Sequence, residues 1–392
     1  MISYFFMSFG NSSINPLIAT YMKYLGAGAQ MTGFLAGLFF FVAFAVHPFA
    51  GPVITRLDKR KLLIVVFIIG AVANLGYALF RSIPMFVAFR FLSGIQFSAI
   101  GPLLLALCGD HLPKNRLAYG LGVYGIGGAT ANAVSPSIGS AVLKLGTSLR
   151  GESFGFTLMF LFGSVILGIA IIPASLIEPD KKTKEEIAST GAWYKNMVSL
   201  NTLPLAIVLM MLMMAYSIIQ TYMFEFAKER GFEGVGIFFL VLASMLAVTR
   251  PMSGFLTDRL GVKKVVFPSI VIFALSFFVI GSSGALWMAL IGAVVFSIGF
   301  GSTHPTLQAM SMQTEPALRR GVATNTVYMC MDLGLFLGPL FGGFVYANTN
   351  YSFMFKTSVA PIAIALVCII IYLPAYERRL KKLENTASDD GV

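Results

Sequence analysis

Long apolar runs, broken by short polar connections, fill this chain from end to end. Reading the runs and their breaks predicts helices near 2–22, 30–53, 62–80, 84–109, 117–142, 153–177, 203–226, 234–256, 264–283, 286–312, 320–346 and 353–375. These runs approach or exceed the roughly 20 apolar residues that a spanning helix needs. Twelve crossings return the chain to the side on which it began. The longest polar segment, 178–200, opens EPDKKTKEE and divides the twelve helices into six and six. Its later Trp193–Tyr194 pair suits a short helix lying on the membrane surface, and its charge suits a solvated tether equally well. The expected organisation is a six-helix bundle over 1–177, a central loop over 178–202, a second bundle over 203–375 and a tail over 376–392.

Composition tells which solvent these helices face. The chain of 392 residues is 57% hydrophobic and 11% charged, with a mean hydropathy of +0.82. Soluble domains carry about 25% charged residues. So few ions cannot cover a water-facing surface of this size, which excludes a soluble enzyme, a nucleic-acid binder and a disulfide scaffold. The formal net charge of +11 matters less than its placement. Arg56, Lys59, Arg60, Lys61, Lys114, Arg116, Lys181, Lys182, Lys184, Lys195, Arg259, Lys263, Lys264, Arg319, Arg320, Arg378, Arg379, Lys381 and Lys382 all fall on one side of the predicted topology. The other side holds Lys23, Arg81, Lys144, Arg150, Lys228 and Arg230. Cytoplasmic loops carry the basic excess, so both termini and the central loop are expected in the cytoplasm of a multi-pass cell-membrane protein. The chain opens almost directly inside its first apolar run, as a chain lacking a short leader would. Cys108, Cys330 and Cys368 lie far apart, so no disulfide framework, metal site or cofactor is indicated.

An internal repeat then appears. A shift of 203 residues lays HPFAGPVITRLDKRK (47–61) on RPMSGFLTDRLGVKK (250–264) without a gap. The same shift pairs Pro102 with Pro305, Pro113 with Pro316, Arg116 with Arg319, Pro136 with Pro339 and Gly139 with Gly342. Two copies of a six-helix unit, packed about a pseudo-two-fold axis along the membrane normal, are the architecture of many secondary transporters.

On these residues the sequence resembles the major facilitator superfamily over essentially its whole length. The segment Gly254-Phe-Leu-Thr-Asp258-Arg259-Leu-Gly261-Val-Lys263-Lys264 is similar to that family's G-x-L-x-D-R-x-G-x-R/K-K loop. The first-half copy keeps Gly51 and Arg56, but has Thr55 at the aspartate position and Asp58 at the second glycine. The resemblance implies an all-α membrane fold of twelve helices, with Gly51, Arg56, Asp58, Gly254, Asp258, Arg259 and Gly261 in loops that gate the two halves. Arg90-Phe-Leu-Ser-Gly94 resembles a motif of the drug–proton antiporter branch, in which the arginine takes part in proton transfer. Gly334-Leu-Phe-Leu-Gly338-Pro339-Leu-Phe-Gly342-Gly343 is similar to another antiporter motif, normally sited in helix five; helix five here has only Ser135-Pro136-Ser-Ile-Gly139. In the family the first and seventh helices line a central cavity, which makes Asn11, Asn15, Tyr216 and Gln220 candidates to contact substrate.

The remaining candidates follow from helical geometry. Gly127, Ala131, Ser135 and Gly139 recur every four residues, as do Cys330, Gly334, Gly338 and Gly342. Such stripes let backbones approach, and Pro136 and Pro339 permit bends beside them. They read as static packing or as seams on which the two halves rock. Asp332 stands twelve residues into helix eleven, near mid-membrane, and shares a stripe with Asn325 and Tyr328 about 200° round from Gly334. A carboxylate at that depth is costly unless paired, hydrated or protonated. It heads the proton-coupling candidates, with Arg90 and His304; Asn325 and Tyr328 join the cavity candidates. Glu225 reads as a loop charge, and His47 and Arg250 as contacts of the neighbouring motif loops.

No GxxxxGK[ST] segment and no catalytic constellation is present, so the chain reads as neither an ATP-driven pump nor an enzyme. The expectation is a secondary active carrier exporting a small organic molecule in exchange for protons, acting as a monomer in the bilayer with no nucleic-acid partner. Uptake by symport or facilitated diffusion is the alternative within transport. Outside it stand a non-transporting sensor and an integral-membrane enzyme.

Overall fold

The computed structural model describes residues 2–111, 117–178, 198–315 and 320–389 and is helical throughout the predicted runs. Lipid offers backbone groups no hydrogen bonds, so each apolar run closes its own as a helix. Helix α1 comes in two pieces, Ile2–Ile14 and Ile18–Tyr24, separated by a 3-10 turn at Asn15–Leu17 where Pro16 lacks an N–H. The first half continues with α2 (Ala29–Arg56), α3 (Lys59–Leu79), α4 (Ile83–His111), α5 (Leu117–Arg150) and α6 (Glu152–Ile169, prolonged by Ile171–Ser175). The second half comprises α7 (Leu203–Arg230), α8 (Gly236–Leu260), α9 (Val262–Gly281), α10 (Leu286–Gln313), α11 (Arg320–Asn348) and α12 (Tyr351–Thr357 and Val359–Asp389). Among the described residues ten helices are long and apolar enough to cross a membrane. Helix α1 is interrupted by its 3-10 turn, and α5 is long but rich in glycine and serine. Helix α12 runs on to Asp389, into the segment expected to be a separate tail. Most of the central loop, 179–197, lies outside the described residues.

Side-chain exposure is inverted relative to a water-soluble protein. Val65, Ile68, Val72, Leu75 and Leu79 form an exposed stripe at helical spacing on α3, and Val271, Leu275 and Phe278 do the same on the repeat-equivalent α9. Apolar stripes facing outward fit a hydrocarbon solvent. The interior is aromatic: Tyr21, Tyr77, Phe86, Phe156 and Phe160 pack together in the first half, and Phe273, Phe277, Phe296 and Phe300 in the second.

The repeat governs the packing. Within the halves, α1 packs on α5 as α7 packs on α11, and α2 on α4 as α8 on α10. Between the halves, α2 lies along α11 and α5 along α8, an exchange of equivalent helices under one pseudo-two-fold operation. The closest approaches obey the same symmetry. A Cβ at Gly33 of α2 would collide with the carbonyl oxygen of Pro339, while one at Gly236 of α8 would lie 2.6 Å from the Ser137 hydroxyl. Gly33 and Gly236 are equivalent under the 203-residue shift, and Ser137 adjoins Pro136, the equivalent of Pro339.

These contacts correct the expected role of the glycine stripes. Gly334 meets the backbone of Met210, Gly338 meets Met214 and Ser217, and Gly342 meets Tyr222, all on α7 of the same half. Gly139 likewise meets Ser13 on α1. The stripes hold each half together. The close approaches between halves instead use Gly33, Gly37, Gly236 and Gly343, whose missing side chains face Pro339, Phe336, Ser137 and Ala29 respectively.

The motif loops differ at their tips. Asp58 is the N-cap of α3, its carboxylate accepting the backbone N–H groups of Arg60 and Lys61 at 2.9 and 3.3 Å. Gly261 fills the equivalent position between α8 and α9 with φ of 81°, a backbone that side chains rarely adopt. Arg259 lies over the Phe255 ring at 4.2 Å, and Lys263 reaches Glu377 of α12 at 2.8 Å. Gly254 lies on an exposed part of α8 with open space around it. The side chains of Arg56 and Asp258, and the surroundings of Gly51, lie outside the described residues.

Candidate functional site

A cavity of about 320 Å³ lies between the two halves, midway along the helices. Tyr4, Ser8, Asn11, Ser12 and Asn15 line it from α1; Arg90 and Phe97 from α4; Asn132 and Pro136 from α5. The second half contributes Tyr216, Ser217, Gln220 and Thr221 from α7 and Leu335 from α11. The repeat-equivalent helices α1 and α7 thus face each other across it. Helix α1 can present Asn11 and Asn15 together because they are four residues, about one turn, apart.

Arg90 anchors the polar lining. It is 3% exposed, with Nη1 donating to Asn15 Oδ1 at 3.2 Å and Nη2 to the Ala36 carbonyl at 2.8 Å. Its guanidinium therefore joins α4, α1 and α2. Gln220 Nε2 donates to the Tyr216 hydroxyl at 2.8 Å, and the Tyr216 ring stacks on Phe300 at 5.0 Å. Ser12 and Asn132 join α1 to α5 through a hydrogen bond of 2.5 Å. Arg250 of α8 lies within electrostatic reach of Tyr4 and Tyr216.

The predicted candidates therefore separate into groups. Asn11, Asn15, Arg90, Tyr216, Gln220 and Pro136 come together at the cavity. His304 is buried behind it, its ring 5.1 Å from Phe300 and its Nε2 without a hydrogen-bond partner. Asn325 points an amide at Met329 Sδ, 3.7 Å away along its own helix. Asp332 and Tyr328 do not line the cavity. Asp332 turns toward α2, where its Oδ2 lies 3.0 Å from His47 Nδ1, and the Tyr328 ring stacks against the His47 ring at 6.1 Å. Both partners are buried, and the contact has ion-pair distance without hydrogen-bond alignment. The physical reason is the helix packing: α2 lies along α11, so the face opposite the glycine stripe meets the other half rather than the central space.

Two assignments made from the sequence change here. His47 is not a satellite of its motif loop but the partner of Asp332 across the two halves. Its position, equivalent to Arg250 in the repeat, already placed two basic side chains at one register. Glu225 is no loop charge: it is 4% exposed and lies 2.6 Å from Lys23, joining the ends of α7 and α1. Its apolar flanks, Tyr-Met-Phe before and Phe-Ala after, were the signal of burial. Asn132, Ser8, Ser12 and Thr221 also line the cavity and carried no distinguishing spacing.

Known proteins resemble this chain in sequence and in fold. The chain is 22% identical over 377 residues to the staphylopine export protein of Staphylococcus aureus, covering 93% of this chain and 92% of that one. It is 23% identical over 385 residues to multidrug resistance protein 2 of Bacillus subtilis, covering 94% of each. A bacterial homologue of the human lysosomal transporter Spinster, solved inward-facing and unoccupied, superposes with a TM-score of 0.76 at 15% identity, covering 97% of this chain and 95% of that one. The family model of the Major Facilitator Superfamily matches residues 1–250 and 234–389. With two pseudo-symmetric helical bundles around a polar cavity, and matches that run through both, the chain belongs to the major facilitator superfamily and is a transporter rather than an enzyme.

Proposed function

We propose that this carrier exports a small organic molecule in exchange for protons, from a cell membrane in which its basic loops and both termini face the cytoplasm. The observation that carries the coupling is the His47–Asp332 pair, 3.0 Å apart and buried between α2 and α11. Any movement that parts the two helices must part these two side chains. Leaving one buried and unpaired costs about 3–5 kcal/mol. Protonating Asp332 beside a neutral His47 imidazole leaves no unpaired charge, so the separated arrangement is favoured when both groups are neutral. A proton taken up from one side and released to the other then biases the two packings alternately. Tyr328, stacked on His47, is the neighbouring titratable group.

Export is supported by the relatives, one named for staphylopine export and another for multidrug resistance. The carrier works as a monomer, its cavity formed by the two halves of one chain. The proposed boundaries are 1–177 and 203–375 for the halves, 178–202 for the linking loop and 376–392 for a cytoplasmic tail. The test is proton movement in reconstituted vesicles on addition of each of a panel of anionic, neutral and cationic organic molecules. Wild type should move protons with at least one of them, and Asp332→Asn should carry that molecule without protons. Equal proton movement per substrate in wild type and variant would remove the pair from the mechanism.

A further inference from the structure

We propose that the cavity recognises an organic anion, a small molecule bearing a carboxylate, and that Arg90 is the residue that holds the negative group. The proposal deepens the transport reading above and rests on it for the cavity's role in carriage, but not on proton coupling. Arg90 is almost wholly buried, and its guanidinium keeps its charge at any pH a cell reaches. Its surroundings, Asn15, the Ala36 carbonyl and the Tyr77 phenol, hold no carboxylate, and its Nε is buried without a hydrogen-bond partner. The rings of Phe39 and Phe86, 4.7 and 5.8 Å away, offset only a small part of the desolvated charge. Among the described residues no aspartate or glutamate lines the cavity. Two buried carboxylates of the membrane helices are committed elsewhere, Asp332 to His47 and Glu225 to Lys23.

A buried cation without a counter-anion is an incomplete arrangement, and the group that completes it must come from what the cavity binds. A carboxylate suits the planar fork of a guanidinium, with two oxygens for two N–H groups. Arg250 adds positive potential from the other half, since it acts on the cavity-lining Tyr4 and Tyr216. Asn11, Gln220 and Thr221 offer neutral hydrogen bonds to the rest of the molecule. An organic cation would meet Arg90 and, among the described lining residues, no acid to offset it.

Binding to purified protein in nanodiscs, with no gradient present, tests this directly. Naphthoate, naphthamide and naphthylmethylammonium share one aromatic body and differ in charge. Wild type should bind naphthoate about tenfold more tightly than the amide, with the ammonium weakest. Arg90→Gln should erase that preference. Because this change also removes buried hydrogen bonds, Asn11→Asp provides an independent test: it installs a carboxylate in the cavity at nearly constant size and should reverse the order in favour of the ammonium. Absence of naphthoate binding, equal affinity for the three, or a naphthoate preference surviving in folded Arg90→Gln would overturn the proposal. A protein that binds naphthoate yet moves no protons during transport would sink the coupling mechanism and leave anion recognition standing.

Discussion

Lys23 Nζ lies 2.6 Å from the Glu225 carboxylate and 4.9 Å from the centre of the Tyr351 ring, so the adjoining ends of α1 and α7 are tied by a charge pair under an aromatic cover. Because Lys23 is 36% exposed and Glu225 is buried, this pair is intermediate between a surface and a core ion pair. We expect Glu225→Gln to weaken closure of this end by about 1 kcal/mol, roughly a fivefold shift in population. A cysteine at Asn15, in a background lacking the three native cysteines, should then react several-fold faster with an impermeant maleimide added from that side. Unchanged reactivity would show that the helix contacts close this end without the pair.

At the other pair, a thermodynamic cycle separates coupling from packing. Asp332→Asn and His47→Gln each leave one member without its partner and should each lower thermal stability, by about 3 kcal/mol if the survivor stays charged. The double variant should lose less than the sum of the two. Additive losses, measured by thermal unfolding in detergent, would mean that His47 and Asp332 do not sense each other.

The two classes of close glycine contact should give different phenotypes. Gly338→Leu forces a side chain into Met214 and Ser217 within one half, and is expected to lower stability by at least about 1–3 kcal/mol. Gly33→Ala pushes instead on the Pro339 carbonyl across the halves. That strain is relieved by parting them, so the expected result is a carrier biased toward opening at the Lys23 end with a smaller loss of thermal stability. Spin labels placed on α2 and α11 would read the separation, and an unaltered distance distribution in a folded Gly33→Ala protein would count against these close approaches setting the separation of the halves.

Asp58 and Gly261 answer the same turn with different chemistry. Asp58→Ala removes an N-cap and should cost about 1 kcal/mol. Gly261→Ala imposes a positive-φ extended backbone, φ 81° and ψ 157°, on a residue with a side chain, at about 1–3 kcal/mol. Exchanging the solutions, with Asp58→Gly, should be milder than Asp58→Ala, because glycine is a tolerated cap. Thermal unfolding of the three variants gives the order; Asp58→Ala as the mildest would refute it.

Much of this was readable beforehand because bilayer physics leaves few choices. Apolar run length gives the helices, and prolines and glycines at a constant offset give the duplication. Helical spacing then places Asn11 with Asn15 and Tyr216 with Gln220, and these four do share a cavity with Arg90. What spacing cannot convey is the neighbour. A glycine every four residues says that some backbone comes close, not whether it belongs to α7 or to α2. Asp332 shows the same gap: its depth in α11 follows from residue counting, but its partner stands on a helix nearly three hundred residues earlier in the chain. Glu225 reads as a loop charge by its polarity, while the apolar residues on both sides of it carry it into the buried end of α7.

Fusing two copies of a unit into one chain frees them to differ. A six-helix ancestor pairing with itself would have made every interface contact twice, since two-fold symmetry repeats each residue's environment. Traces of that pairing persist where Gly33 meets Pro339 and Gly236 meets Ser137. Elsewhere the copies have parted: His47 faces Asp332 on one seam, while the equivalent positions on the other are Arg250 and Ala129. A homodimer could not hold an acid–base pair on one side without holding it on both. In the single chain, one seam can carry the His47–Asp332 pair while its twin carries the permanent positive charge of Arg250, a division of labour open only to two halves that differ in sequence.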